Sequence, residues 1–132
     1  NAGDASENVF SADLWTHRVP YKGAQAYYDN YKAKYGKDTE YHGAEAYASM
    51  YVVADALKRA KEMTPIAVRE ALAATDLMTA FGPVKFISYD KKKQQNRLPT
   101  YLVQWQKGVL ETVWPKDVAT KPYVFPVPPW SK

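Results

Sequence analysis

The chain has 132 residues, enough for one domain with a modest core, and its 46% hydrophobic and 24% charged composition is that of a globular protein rather than a disordered or collagen-like one. It has no cysteine, which excludes disulfides, zinc ribbons and thiol catalysis. No apolar run reaches the ~18 residues of a bilayer-spanning helix, and the net charge of +4 raises nucleic acid or an anionic membrane as partners without naming either.

Asn1-Ala2 reads as a remnant of tag removal, with the natural sequence resuming at Gly3. Glu7 to Trp15 is a short apolar run expected to form a strand. From Gly23 to Tyr35 the residues Ala24, Tyr27, Tyr28, Tyr31 and Tyr35 recur at three- and four-residue steps, the mark of an amphipathic helix. Gly36 follows as its C-terminal cap. The tyrosine stripe is expected to pack through its rings and keep its hydroxyls at the edge.

Lys37 to His42 reads as a polar loop, and Ala44 to Lys61 as the strongest helix. Its expected apolar stripe is Ala46, Tyr47, Met50, Val53, Ala54 and Leu57, with Lys58, Arg59 and Lys61 at the negative end of the dipole. Thr64-Pro65 is a start signal for a further helix to about Ala74, with Ala67, Val68 and Leu72 facing inward.

Beyond Gly82 the period changes. Val84 to Ile87, Thr100 to Gln106 and Val109 to Val113 read as strands, the last two forming a hairpin across Lys107-Gly108. Lys91-Lys92-Lys93, beside Gln94, Gln95 and Asn96, is expected to be a solvated loop. Pro115 to Lys132 is rich in proline and cannot continue a ladder or helix. It is expected to lie as an extended strap, with Tyr123, Phe125 and Trp130 packed on the body. The order of elements fits an α/β arrangement, yet the strands are too few to cover the helices.

Signs of catalysis are scarce. His17 and His42 lie twenty-five residues apart without helical pairing, so no metal site is expected. No nucleophile elbow, phosphate-binding loop or dinucleotide fingerprint occurs. Glu45 and Asp55 share a helix face but stand about fifteen ångströms apart along the axis, too far for joint acid–base work. Pro126-Val127-Pro128-Pro129 matches a polyproline-recognition pattern that is common by chance.

Several stretches, taken in order, resemble the last third of the branched-chain amino acid-binding proteins of ABC transporters. They are Gly3-Asp4-Ala5-Ser6-Glu7-Asn8-Val9, Tyr35-Gly36-Lys37, Ala46-Tyr47-Ala48, Ala54-Asp55-Ala56-Leu57 and Thr64-Pro65 with Ile66 to Leu72. The match continues through Phe81 to Phe86, Leu102-Val103-Gln104-Trp105-Gln106 and Val113-Trp114-Pro115. No piece is distinctive alone; order and spacing carry the likeness.

That resemblance implies a C-terminal fragment of a two-lobed, type I periplasmic-binding protein, about three helices plus a strand hairpin. Residues 12–80 would belong to the first lobe, 83–115 would cross to the second, and 116–132 would be the tail. It implies a non-enzymatic, exported periplasmic protein. Such a protein needs no cofactor, takes an amino acid or related small solute between its lobes, and delivers it to an inner-membrane permease. A ligand-sensing module of the same fold is the alternative. The loop ahead of the long helix would reach the cleft, which makes His42, Ala44, Glu45 and Tyr47 the candidate ligand-binding residues. Ala44 stands near the place of a large aromatic in these binders, a role open here to Tyr41 or Tyr47. Nucleic acid is not expected as a partner. Uncovered helix faces and open strand edges lead us to expect self-association of the fragment.

Overall fold

The computed structural model describes residues 3–129, so Asn1-Ala2 and Trp130 lie outside the described residues. A short 3-10 turn (Gly3–Ser6) leads into strand β1 (Phe10–Asp13). Three helices follow: α1 (Ala24–Tyr35), α2 (Tyr41–Arg59) and α3 (Pro65–Ala73). Then come β2 (Asp76–Met78), β3 (Pro83–Tyr89), β4 (Lys92–Asn96), β5 (Tyr101–Gln106) and β6 (Val109–Trp114). The strands form two antiparallel sheets, ordered β1-β5-β6 and β2-β3-β4. In the first, Phe10 faces Gln104 and Val103 faces Thr112, so the start and the end of the chain share one sheet.

The helix ends follow from local chemistry. At Gly36 the backbone turns left-handed, with φ of 67°, and its N–H donates to the Lys32 carbonyl. Thr64 Oγ1 accepts the Ala67 N–H at 3.3 Å, and Pro65 occupies the first turn of α3, where its missing N–H costs nothing. Helix α2 begins earlier than its apolar pattern suggests. The Glu40 carboxylate accepts the His42 N–H at 3.2 Å and caps the helix, which draws Tyr41 and His42 out of the expected loop.

The buried stripe of α2 also differs from expectation. Ala44, Ala48, Val52 and Ala56 are buried, whereas Met50, Val53, Leu57, Tyr47 and Tyr51 are exposed. The cause is steric. A stripe of small side chains lets the helix axis approach α3 closely, while a cavity of about 330 Å³ lies between Ala48 and Val52 of α2 and Val84 and Phe86 of β3. Met50, Tyr51 and Leu57 are left outside that packing, and Val53 stands at the mouth of the cavity. At the C-terminal end of α2, Arg59 pairs with Asp55 at 2.7 Å and donates to buried Thr75 Oγ1 at 3.2 Å, so Asp55 is not merely a solvated charge. In α3 Ala71 is buried, while Ala67, Val68 and Leu72 are half-buried.

The expected hairpin is present, with Lys107 and Gly108 both left-handed (φ 54° and 73°), as a two-residue turn between right-twisted strands requires. Two strands escaped the sequence reading. Strand β4 carries the lysine run expected in a loop, and its residues have little strand preference. Pairing with β3 holds it instead, Ile87 facing Gln95 and Tyr89 facing Lys92. Its side chains are exposed, solvated as expected but on a strand.

The core gathers Trp15, Val19, Ala24, Tyr27, Ala44, Ala80, Tyr101 and Val103. Trp15 donates its indole N–H to the Ala80 carbonyl at 2.8 Å, which satisfies the polar handle of a buried ring. Gln104 is fully buried and ties three segments together. Its Nε2 donates to the carbonyls of Asn8 and Val124, both at 3.1 Å, and its Oε1 accepts the Val124 N–H at 2.8 Å. The tail is therefore a strap, as expected, but its backbone fastens it. The rings of Tyr123 and Phe125 stay exposed.

Two outcomes are expected in urea unfolding. Gln104→Leu, close in volume, leaves buried partners unsatisfied and costs about 2–3 kcal/mol. Val52→Ala costs about 1–2 kcal/mol, whereas Met50→Ala stays within about 0.5 kcal/mol. The reverse ranking would return the buried face of α2 to the stripe that includes Met50.

Candidate functional site

The N-terminal end of α2 approaches α1 because Gly43 has no side chain. A Cβ there would collide with Thr39 Oγ1 and the Tyr27 hydroxyl, which are themselves hydrogen-bonded at 3.0 Å. Polar groups from several segments gather around this junction. The Tyr28 hydroxyl donates to Asp38 Oδ1 at 2.7 Å, and Lys32 Nζ sits 2.8 Å from the same oxygen. These two bonds, that of Lys32 foremost, hold the Asp38 carboxyl below its ordinary range. The His17 ring stacks on Tyr28 with centroids 4.0 Å apart. Burial, and then the neighbouring Arg18 charge, push His17 below its ordinary value and favour the neutral ring.

These residues border a cleft of about 450 Å³, closed on its other sides by Asp13, Arg18, Trp105 and the β5–β6 turn. Arg18 is anchored through Nη1 to Glu111 Oε2 at 2.6 Å, and the buried Glu111 also accepts the Thr120 hydroxyl at 2.6 Å. One guanidinium nitrogen is thereby committed, and the fork retains donors for another acceptor. The cleft thus combines a fixed cation, carboxylates and aromatic faces, a set suited to a small organic solute that carries both charge and apolar surface. Nothing in it pairs a nucleophile with a base.

The four residues singled out from the sequence do not converge on one point. At about 100° per residue, positions 42, 44, 45 and 47 spread around the helix. His42 is exposed, with its ring stacked on Tyr41 and its Nδ1 2.8 Å from Glu40 Oε2. Burial alone would raise the Glu40 carboxyl, but the His42 amide and ring outweigh it and bring it below its ordinary value. Ala44 has no exposed surface and is a core group. Glu45 turns to the other side of α2, where it borders the 330 Å³ cavity shared with Phe81 and Phe86. Tyr47 stacks on Tyr27 at 4.5 Å and shares a 2.9 Å hydroxyl contact with Tyr51.

His17, Arg18, Tyr28, Asp38 and Trp105 were not singled out as site residues from the sequence. The signal was absent rather than overlooked. Arg18 and Glu111 are 93 positions apart, and no local pattern reports such a pair.

Comparison with known proteins gives the family and the fold. Residues 1–109 match the family model described as periplasmic binding protein. A Leu/Ile/Val-binding protein homolog 7 of Brucella melitensis biotype 1 is 30% identical over 99 residues, which are 74% of this chain and 25% of that protein. A homolog 8 of the same organism is 27% identical over 121 residues, covering 88% of this chain and 30% of its own length. Among solved structures, a putative branched-chain amino acid ABC transporter from Silicibacter pomeroyi has a TM-score of 0.72 at 19% identity. It covers 92% of this chain and 35% of its own. A solute-binding protein of an ABC transporter from R. palustris, in complex with benzoate, has a TM-score of 0.68 at 15% identity, covering 93% of this chain and 32% of its own. The chain therefore spans about a quarter to a third of the proteins it matches, and its three helices and antiparallel sheets are part of a type I periplasmic-binding fold. The chain belongs to the periplasmic binding protein family.

Proposed function

We propose that this chain is the C-terminal part of the solute-binding component of an ABC importer. The observation that carries the reading is the family match over residues 1–109, joined by relatives named for leucine, isoleucine and valine binding. In this reading residues 12–80 belong to one lobe, 83–115 cross to the other, and 116–132 form the strap. The solute is a branched-chain amino acid or a related small organic molecule. It sits between the lobes, against the wall formed at the N-terminal end of α2.

On this wall His42 offers a polar contact and Tyr47 an aromatic face, while Ala44 packs behind them in the core and Glu45 faces the cavity on the other side of α2. The charged cleft beside them, with Arg18 anchored by Glu111, supplies the groups best placed to meet a solute's own charges. Function then follows from differential binding. A solute that touches both lobes only when they close favours the closed state by the extra contacts made there. That state is presented to an inner-membrane permease on the periplasmic side. No bond is made or broken, and the cycle needs no cofactor.

Calorimetric titration tests the reading. The 132-residue chain, supplying one wall, binds leucine, valine or aromatic acids no more tightly than millimolar. A polypeptide extended to the length of the relatives binds one such solute at micromolar or better, near −8 kcal/mol. Absence of binding by the extended protein across amino acids and aromatic acids would overturn the assignment.

The exposed face of Met50, Val53 and Leu57 gives a second expectation. Among the described residues the strap is fastened to β5 rather than to α2, and that face is open. Light scattering across a dilution series should show a concentration-dependent dimer of the isolated chain. A monomer at every concentration would refute self-association.

A further inference from the structure

The chain's net charge has an address. Of its 18 basic and 14 acidic side chains, Lys85, Lys91, Lys92, Lys93 and Arg97 lie within residues 83–97 with only Asp90 opposing them, which leaves thirteen of each sign elsewhere. The whole surplus of +4 therefore sits on the β3–β4 hairpin and its exit. A charge spread evenly over a surface is diluted by its counterions. The same charge on one projecting hairpin sets up a local field.

The hairpin presents this charge openly. Strand β4 is the edge of its sheet, and all five of its residues are exposed. Lys92 and Arg97 both lie over the Tyr89 ring, at 5.7 and 5.3 Å from its centroid. Among the described residues only Lys85 of these cations is in an ion pair, with Asp76 of β2. Alternation along β3 puts Lys85 and Ile87 on one face, and pairing of Pro83 with Met78 adds Met78 to it. Ile87 and Met78 are 39% and 56% exposed, so apolar side chains stand among the cations.

We propose that this hairpin is a docking surface for an anionic lipid bilayer. Three features select that partner. Four of the five cations are lysines, compact charges on flexible stems that suit a diffuse anionic surface, where bidentate capture of a single phosphate would favour arginine. The exposed Ile87 and Met78 and the half-buried Tyr89 are side chains that settle at a headgroup boundary. The strand edge is open, yet like charge keeps a second copy from pairing with it, so the lysines both guard the edge and carry the attraction. The surface is separate from the cleft, and its role does not depend on the solute reading.

Co-sedimentation with vesicles tests the proposal on the 132-residue chain. Vesicles of phosphatidylcholine with roughly a third phosphatidylglycerol are expected to retain the chain, and pure phosphatidylcholine to release it. Retention falls steeply as salt rises from about 0.02 to about 0.5 M. The triple change Lys91→Gln, Lys92→Gln, Lys93→Gln weakens retention at least tenfold, while the three corresponding Lys→Arg changes preserve it. Lys34→Gln, Lys37→Gln, Lys61→Gln removes the same charge away from the hairpin and leaves retention within about twofold, which separates the hairpin from net charge alone. Circular dichroism melts verify that each variant is folded. Equal retention by both vesicle types, or an equal loss in both glutamine triples, overturns the proposal. So does binding to poly-glutamate without binding to anionic vesicles, which would assign the hairpin to an acidic protein.

Discussion

Gln104 has no exposed surface, yet every polar atom of its amide is engaged by a segment distant in the sequence. A buried amide is tolerable only when satisfied, and here satisfaction requires three pieces of chain at once. The Asn8 carbonyl must arrive from the lead into β1, and the Val124 amide and carbonyl from the strap. Beside it, Gln106 Nε2 donates to the Pro122 carbonyl and the Gln104 oxygen, extending the same tie. Because Gln104 faces Phe10 across the sheet, this polar knot fixes the register of β1 on β5. The register of β1 in turn places Asp13 to Arg18, and with them one side of the cleft.

The helices are held less strongly. A buried methyl is worth about 0.8 kcal/mol, against roughly 1.5–3 kcal/mol for a whole buried leucine or phenylalanine side chain. Helix α2 buries mainly alanines, so packing gives it little per residue. Much of its persistence within this chain comes from the helix preference of alanine and from its end caps. Its larger apolar side chains are only partly covered, Met50 remaining 68% exposed, which leaves a face open to another surface. The tyrosines partly make up the deficit, since Tyr27 meets Trp15 edge-on at 5.9 Å and stacks on Tyr47.

In the proposed function the cleft is a binding wall whose charges are held in place before a solute arrives. Arg18 is positioned by a buried carboxylate, the Asp38 carboxyl is lowered by a cation and a phenol, and the His17 imidazole is lowered by burial. Charges held in this way need not reorganise when a solute arrives, which reduces the cost of binding. The Glu111 carboxylate illustrates the cost of the alternative. Buried, it is stabilised only because Arg18, Thr120 and the more distant Lys121 attend it.

Much was legible locally. Gly36, Thr64-Pro65 and Lys107-Gly108 act through their own backbone preferences, so the end of α1, the start of α3 and the β5–β6 turn were determined by the residues themselves. The order of weak family motifs likewise depended on sequence alone. Other features rest on pairing or approach between distant segments, to which no local pattern responds. Strand β4 exists because β3 offers it a ladder, against the preference of Lys92 to Asn96. The inward face of α2 was decided by how closely the helix could approach α3, and small residues won over large ones. The cleft arose the same way: Arg18 and Glu111, or His17 and Tyr28, become neighbours only once the sheet has joined the two ends of the chain and α1 has folded back on the loop after β1.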